Sequence, residues 1–298
     1  MKKTTLLLVF AILLTTVLVS CSGNYDDGQV NPDANMGDDS TGGNDQNRVN
    51  IKRGLKFKGY TYNIYDDEEI EITEYDFDFT EEADDVATAD EKEDGVEEIV
   101  LIDLEIPAKI NDIPVTKIGK GAFEKNRILK SIVVPEGVKE IADEAFWYNY
   151  ALESVTLPDS LTTLGTRVFN YATSLKSLAI PAGVTVIPDS LCGECTSLES
   201  VTFKGKITAI EGGAFAFCTS LTSINLGDSL VSIGADAFKW CSKITELSLP
   251  DTIATIGNNA FDSCAALTTV TFAGEDASVI AIGEGNDIII DALGITEE

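Results

Sequence analysis

The side chains whose types and spacing first suggest chemistry are the cysteines and carboxylates, since the 298 residues include six cysteines, 50 Asp and Glu and no histidine. Without imidazole there is no Ser-His-Asp or Cys-His nucleophile and no His-ligated metal. Five cysteines lie in the body of the chain: Cys192, Cys195, Cys218, Cys241 and Cys264. Cys192-Gly-Glu-Cys195 has the spacing of a redox pair or half a zinc site. A structural zinc takes four ligands, and no second pair is present. A thioredoxin-type pair follows a strand in an α/β fold, whereas Cys192 fills a slot that elsewhere recurs as Phe. The other four share one column, which reads as a buried ladder of small residues beneath a turn. Parallel side chains give poor disulfide torsion, so free thiols are expected. Asp33, Asn35 and Asp38, and again Asp90 to Gly95, miss a calcium loop: the first group lacks the sixth-position Gly and the closing Glu, and Leu101 stands where the second would need its Glu. No catalytic residue, metal or cofactor is expected.

The sixth cysteine has a different setting. Lys2 and Lys3 precede an apolar run from Leu6 to Val19, too short for a membrane span and consistent with a signal peptide over residues 1–20. Leu18-Val19-Ser20-Cys21 resembles the lipobox of bacterial lipoproteins, which implies lipidation of Cys21 and a membrane partner through that anchor. Residues 21–50 are rich in Gly, Asn and Asp and read as a flexible tether. Asp26-Asp27 resembles an export signal of some surface lipoproteins.

Lys and Arg total 21 against 50 Asp and Glu, a net charge of −29. That balance repels phosphate backbones, so nucleic acid is not expected as a partner. The charge is uneven: residues 61–100 carry 18 acids and one base, residues 101–273 carry 19 acids and 13 bases. The acids around 80–95 read as a solvated loop.

These residues must be positioned by elements, and the elements repeat. Residues 51–106 alternate apolar and polar at Leu55 to Ile64, Ile70 to Thr73 and Tyr75 to Phe79, the mark of half-buried strands. From 107 to 273 the chain is periodic. Phe123, Phe146, Phe169, Cys192, Phe215, Phe238 and Phe261 are each 23 apart. Leu129, Leu152, Leu175, Leu198, Leu221, Ile244 and Leu267 open the units, and Pro135, Pro158, Pro181 and Pro250 close a short strand. The first unit, Pro107 to Pro135, is five residues longer. One coil cannot bury its own apolar face, and stacked coils bury a continuous one. The expected fold is therefore an α/β-type repeat solenoid, with a parallel β-sheet on one face, short helical turns on the other and a β-strand N-terminal cap. Residues 274–298 are left as a C-terminal cap or tail.

Ile106-Pro-Ala-Lys-Ile110-Asn-Asp-Ile-Pro-Val-Thr-Lys-Ile-Gly119 and Gly213-Ala-Phe-Ala-Phe-Cys-Thr-Ser-Leu221 resemble the BspA-like, or Treponema-type, leucine-rich repeats of bacterial surface proteins. The resemblance covers 99–273. It implies an exported, non-enzymatic protein of the cell envelope, at the outer membrane or cell surface. It also implies adhesion to host or bacterial proteins, or to glycans, and leaves open an envelope scaffold with no external ligand.

Two faces could bind. Two residues after each Phe slot stand Lys125, Tyr148, Tyr171, Glu194, Phe217, Trp240 and Ser263, with Trp147 and Tyr150 beside them. Tyr148, Tyr171, Phe217 and Trp240 are the candidate anchors, provided that the rings are exposed rather than packed between coils. The alternative is the strand face, where Lys130, Glu153, Lys176 and Glu199 alternate in charge beside a row of serines.

Overall fold

The structure, a computed structural model, describes residues 50–65, 68–76 and 101–295. The expected signal peptide, Cys21, the tether as far as residue 49 and the acidic loop at 80–95 lie outside the described residues.

Each coil begins with a short strand whose alternate side chains face inward. Ser177–Ile180 pairs in parallel with Ser200–Phe203, and Ser177 lies opposite Ser200, one repeat on. The same register joins Ser200–Phe203 to Ser223–Ile224 and Glu246–Leu249 to Thr269–Phe272. The strands stop where the sequence places proline, which has no N–H for the ladder. Each proline carbonyl instead accepts from the residue three later, as Pro158 does from Leu161 at 3.2 Å. Where Lys204 and Ala273 replace it, their N–H groups continue the ladder to Ile180 and Leu249, both at 2.9 Å.

A second parallel ladder runs along another face. Glu140–Ile141 pairs with Thr163–Leu164, and Val186–Ile187, Ala209–Ile210, Ser232–Ile233 and Thr255–Ile256 pair in turn, all two-residue strands at the 23-residue step, with a break in the ladder between Leu164 and Val186. Their buried members are the apolar column that closes the core.

The opposite side of each coil was expected to be a short helical turn. It is a hydrogen-bonded turn without helix, because two residues per coil adopt left-handed backbone and interrupt any helical run. In one coil these are Arg167 (φ 56°) and Tyr171 (φ 62°), in the next Ser190 (53°) and Glu194 (62°). The turns form their own ladder between coils. Phe146 N–H donates to Val168 O and Tyr148 N–H to Asn170 O, both at 3.0 Å.

The Phe slots are the largest side chains of the core, fully buried throughout. Phe123, Phe146 and Phe169 stack at centroid distances of 5.1 and 5.6 Å, and Phe215, Phe238 and Phe261 at 5.5 and 5.2 Å. Cys192 separates the two runs. Burying one such ring contributes on the order of 1.5–3 kcal/mol.

The ends are closed by pieces that imitate a coil. Strands β1 (Asn50–Phe57), β2 (Tyr60–Tyr65) and β3 (Ile70–Tyr75) form an antiparallel meander. The Leu55 to Ile64 alternation is thus a hairpin, turned by Lys58 (φ 46°) and Gly59 (φ 81°). β3 pairs in parallel with Ile113–Ile118 and so joins the second ladder. Tyr75 at its end, half-buried, stacks on Phe123 at 5.8 Å and covers the end of the buried ring column. The five extra residues of the first unit form a hairpin, Lys109–Ile110 against Ile113–Pro114, turned by Asn111 and Asp112. At the other end, helix α1 (Asp287–Leu293) follows the last coil. Asn286 before it is buried. Its Oδ1 accepts from Phe261 N–H at 3.1 Å, and its Nδ2 donates to Gly257 O at 2.9 Å and Gly283 O at 2.8 Å. One side chain thereby supplies the acceptor that a further coil would have brought.

Candidate functional site

The turn column is built by backbone first. Lys125, Tyr148, Tyr171, Glu194, Phe217, Trp240 and Ser263 all have φ between 58° and 62°. Bulky residues seldom adopt that region, and Gly or Asn would occupy it with less strain. The turn demands the conformation, but it does not demand rings.

The rings stack from coil to coil. Tyr148 and Tyr171 lie 4.5 Å apart with planes 13° from parallel, and Phe217 and Trp240 lie 6.2 Å apart at 8°. They are not buried by this: Tyr148, Tyr171 and Phe217 are half-buried, and Trp240 is 46% exposed. Trp147 and Tyr150 widen the first stack, with centroids 4.3 and 5.5 Å from Tyr148. Trp147 Nε1 donates to Asn170 Oδ1 at 3.2 Å, and Asn170 Nδ2 donates to Gly193 O at 3.1 Å. A Cβ at position 193 would stand 2.5 Å from that Nδ2, so a larger residue there would have to displace the Asn170 amide. At the N-terminal end of the column Lys125 lies over the Trp147 ring at 5.1 Å and pairs with Glu124 at 2.8 Å.

The cysteines do structural work beneath this column. All five are free and buried. The thiols of Cys195, Cys218, Cys241 and Cys264 each donate to a carbonyl of the preceding coil at 3.1 Å. Asn149 makes the equivalent bond to Phe123 O at 2.8 Å, so thiol and amide are interchangeable donors here. Burial pushes the thiols of Cys192, Cys218 and Cys241 up, and that of Cys264 to about 11. Such thiols are poor nucleophiles and poor metal ligands.

On the strand face the alternating charges make one contact. Lys176 pairs with Glu153 at 3.0 Å, and its hydrogen bond and charge hold the Glu153 carboxyl below its usual range. Among the described residues, Lys130 and Glu199 join no ion pair in this row. The serines beside it, from Ser154 to Ser223, are exposed and flat-lying.

The family model of the BspA type leucine rich repeat region matches residues 101–219 and 187–285, in six copies. This chain belongs to that family. Leucine-rich repeat proteins of known structure share the solenoid. A leucine-rich repeat protein of T. pallidum shares 21% identity over 78% of this chain and 86% of its own, at a TM-score of 0.50. One from Bacteroides ovatus shares 22% over 77% and 67%, at 0.51, and one from Eubacterium ventriosum 23% over 74% and 52%, at 0.54. These likenesses establish the fold. No curated protein matches the chain.

Sequence reasoning gathered the ring column correctly but read it as one stripe. The structure divides it into two stacked pairs with Glu194 between them. The signal was present in the column itself, as a carboxylate between two aromatics.

Proposed function

We propose that this BspA-type protein is a non-enzymatic binding protein of the bacterial cell surface, held by a lipid on Cys21, and that it acts as an adhesin. The partner is a host or bacterial surface protein, or a glycan, and the ring column of Tyr148, Tyr171, Phe217 and Trp240 receives it. The observation that carries this reading is the exposure of stacked rings in a strained backbone that would be better served by small residues. Rigid rings bury much area with few rotors, as binding anchors do. The strand face, by contrast, offers small polar side chains and one exposed ion pair. Repeat solenoids commonly present an extended surface to partners.

The test is capture of immobilised extracellular-matrix proteins and glycans by the full chain, together with protease treatment of intact cells. Capture, with loss of the protein from shaved cells, supports the reading. A protein that resists shaving and captures nothing is an envelope scaffold instead. Replacing Cys21 with Ser is expected to move the protein from the membrane to the soluble fraction.

A further inference from the structure

The ring column is broken once between rings, at Glu194. Its backbone matches its neighbours: φ is 62°, against 62° at Tyr171 and 61° at Phe217. Its N–H donates to Ala216 O at 2.8 Å, as that of Tyr171 does to Gly193 O at 2.9 Å. Its Cα–Cβ bond therefore leaves the coil in the same direction as those of the two rings. Two coil steps of ~4.8 Å set the rings roughly 9–10 Å apart. A group centred between them lies about 5 Å from each face, within the ~6 Å reach of a cation–π contact.

The faces that look onto this gap are the ones left free by the stacking. Tyr148 covers the far side of Tyr171, and Trp240 covers the far side of Phe217. Glutamate is shorter than tyrosine or phenylalanine, so the carboxylate is the floor and the rings are the walls. No cation of the chain serves it: among the described residues Glu194 has no ion pair, and partial burial alone raises its carboxyl. The flanking threonines turn along the stack, to the preceding coil. Thr196 Oγ1 donates to Thr173 O at 3.5 Å and Thr219 Oγ1 to Thr196 O at 3.4 Å. At the start of the same column the protein supplies its own cation for the same groups, where Lys125 sits on the Trp147 ring and on the Glu124 carboxylate.

We propose that Tyr171, Glu194 and Phe217 form a recognition slot for a single guanidinium, the side chain of an arginine in a basic segment of a partner polypeptide. This rests on the reading of the ring column as the binding face. A guanidinium is planar, presents a flat face to a ring and meets a carboxylate with two N–H groups at once; an ammonium does neither. The repeat body around the slot carries 19 acids against 13 bases in residues 101–273, a balance that favours a basic partner segment.

The experiment is an NMR titration of the isotope-labelled full chain with the peptide Gly-Ser-Gly-Arg-Gly-Ser-Gly and its citrulline and lysine counterparts. The arginine peptide is expected to shift the amides of residues 193–196 and 217, and to bind about tenfold more tightly than the neutral citrulline peptide. Glu194→Gln and Phe217→Leu are each expected to weaken it about fivefold. Asp251→Asn, an exposed acid elsewhere, controls for general charge, and unchanged amide shifts away from the coil certify folding. Equal binding of arginine and citrulline peptides, or an equal loss with Asp251→Asn, overturns the slot. Equal binding of the lysine peptide overturns the choice of guanidinium. The ring-column reading fails separately, if partner capture survives Trp240→Ala with Tyr171→Ala; should that capture be lost while the arginine peptide fails to bind, only the slot is wrong.

Discussion

Two ring columns run along this solenoid, two residues apart in every coil, and they tolerate different things. The inner column is Phe in every coil but one, and the exception is Cys192, another apolar group. The outer column holds Lys, Tyr, Tyr, Glu, Phe, Trp and Ser. Both columns break in the same coil, at Cys192 and at Glu194. Inside, the break is filled by a thiol that keeps the core dry. Outside, it leaves a carboxylate between two ring faces. A common period thus identifies columns, while the kind of side chain that interrupts a column separates a buried column from one that meets solvent.

The largest effect that would break this contrast concerns the inner column. Phe215→Ala should cost roughly 3–5 kcal/mol, since it leaves a buried cavity between Cys192 and the Phe238 ring. Trp240→Ala in the outer column should cost under about 1 kcal/mol. Denaturant titration measures both, and similar losses would mean that the two columns are not distinct.

Next in size is the end of the stack. Asn286→Ala leaves Phe261 N–H and the part-buried Gly283 carbonyl without this partner, and should cost about 1–3 kcal/mol. Hydrogen exchange at Phe261 should accelerate at the same time. An unchanged melting curve would show that the last coil needs no closing acceptor.

A smaller effect tests the cysteines. The five body thiols should resist a water-soluble disulfide reagent in the native protein and all react on unfolding. Rapid native labelling of Cys192 or Cys195 would revive the redox reading of that pair.

The smallest effect sharpens the outer column. Burial raises the Glu194 carboxyl above its ordinary range. The folded protein therefore favours the protonated form, and this stabilisation is complete below the unfolded value and lost as pH rises through the raised one. At pH 7 the charged, unpaired group costs stability, so Glu194→Gln should raise Tm by about 1–2 °C there. The difference should close as the pH falls below 4. A lowered Tm at pH 7 would mean that Glu194 has a partner within the fold.

Much of this was legible in the sequence because each inward position repeats as a single apolar column. Phe215, Leu221, Ile224 and Ile233 can be assigned to the core from spacing alone. The second ladder was hidden, since strands of two residues such as Val186–Ile187 contain no alternation to read. The Lys58-Gly59 hairpin was hidden by an alternation that survives the turn. The charge row of Lys130, Glu153, Lys176 and Glu199 suggested more pairing than exists, because exposed side chains gain little from being held together. The closing role of Asn286 depends on which carbonyl is missing at the end of a stack, and that is a property of the fold.

The central claim is that the partner meets the turn column and not the strand sheet. It is tested most directly by comparing two double variants for capture of the same immobilised partner. Trp240→Ala with Tyr171→Ala should lower capture roughly tenfold while the melting curve stays cooperative. Lys130→Ala with Glu199→Ala should leave capture within about twofold. Normal capture by the aromatic variant and its loss in the strand-face variant would contradict the account.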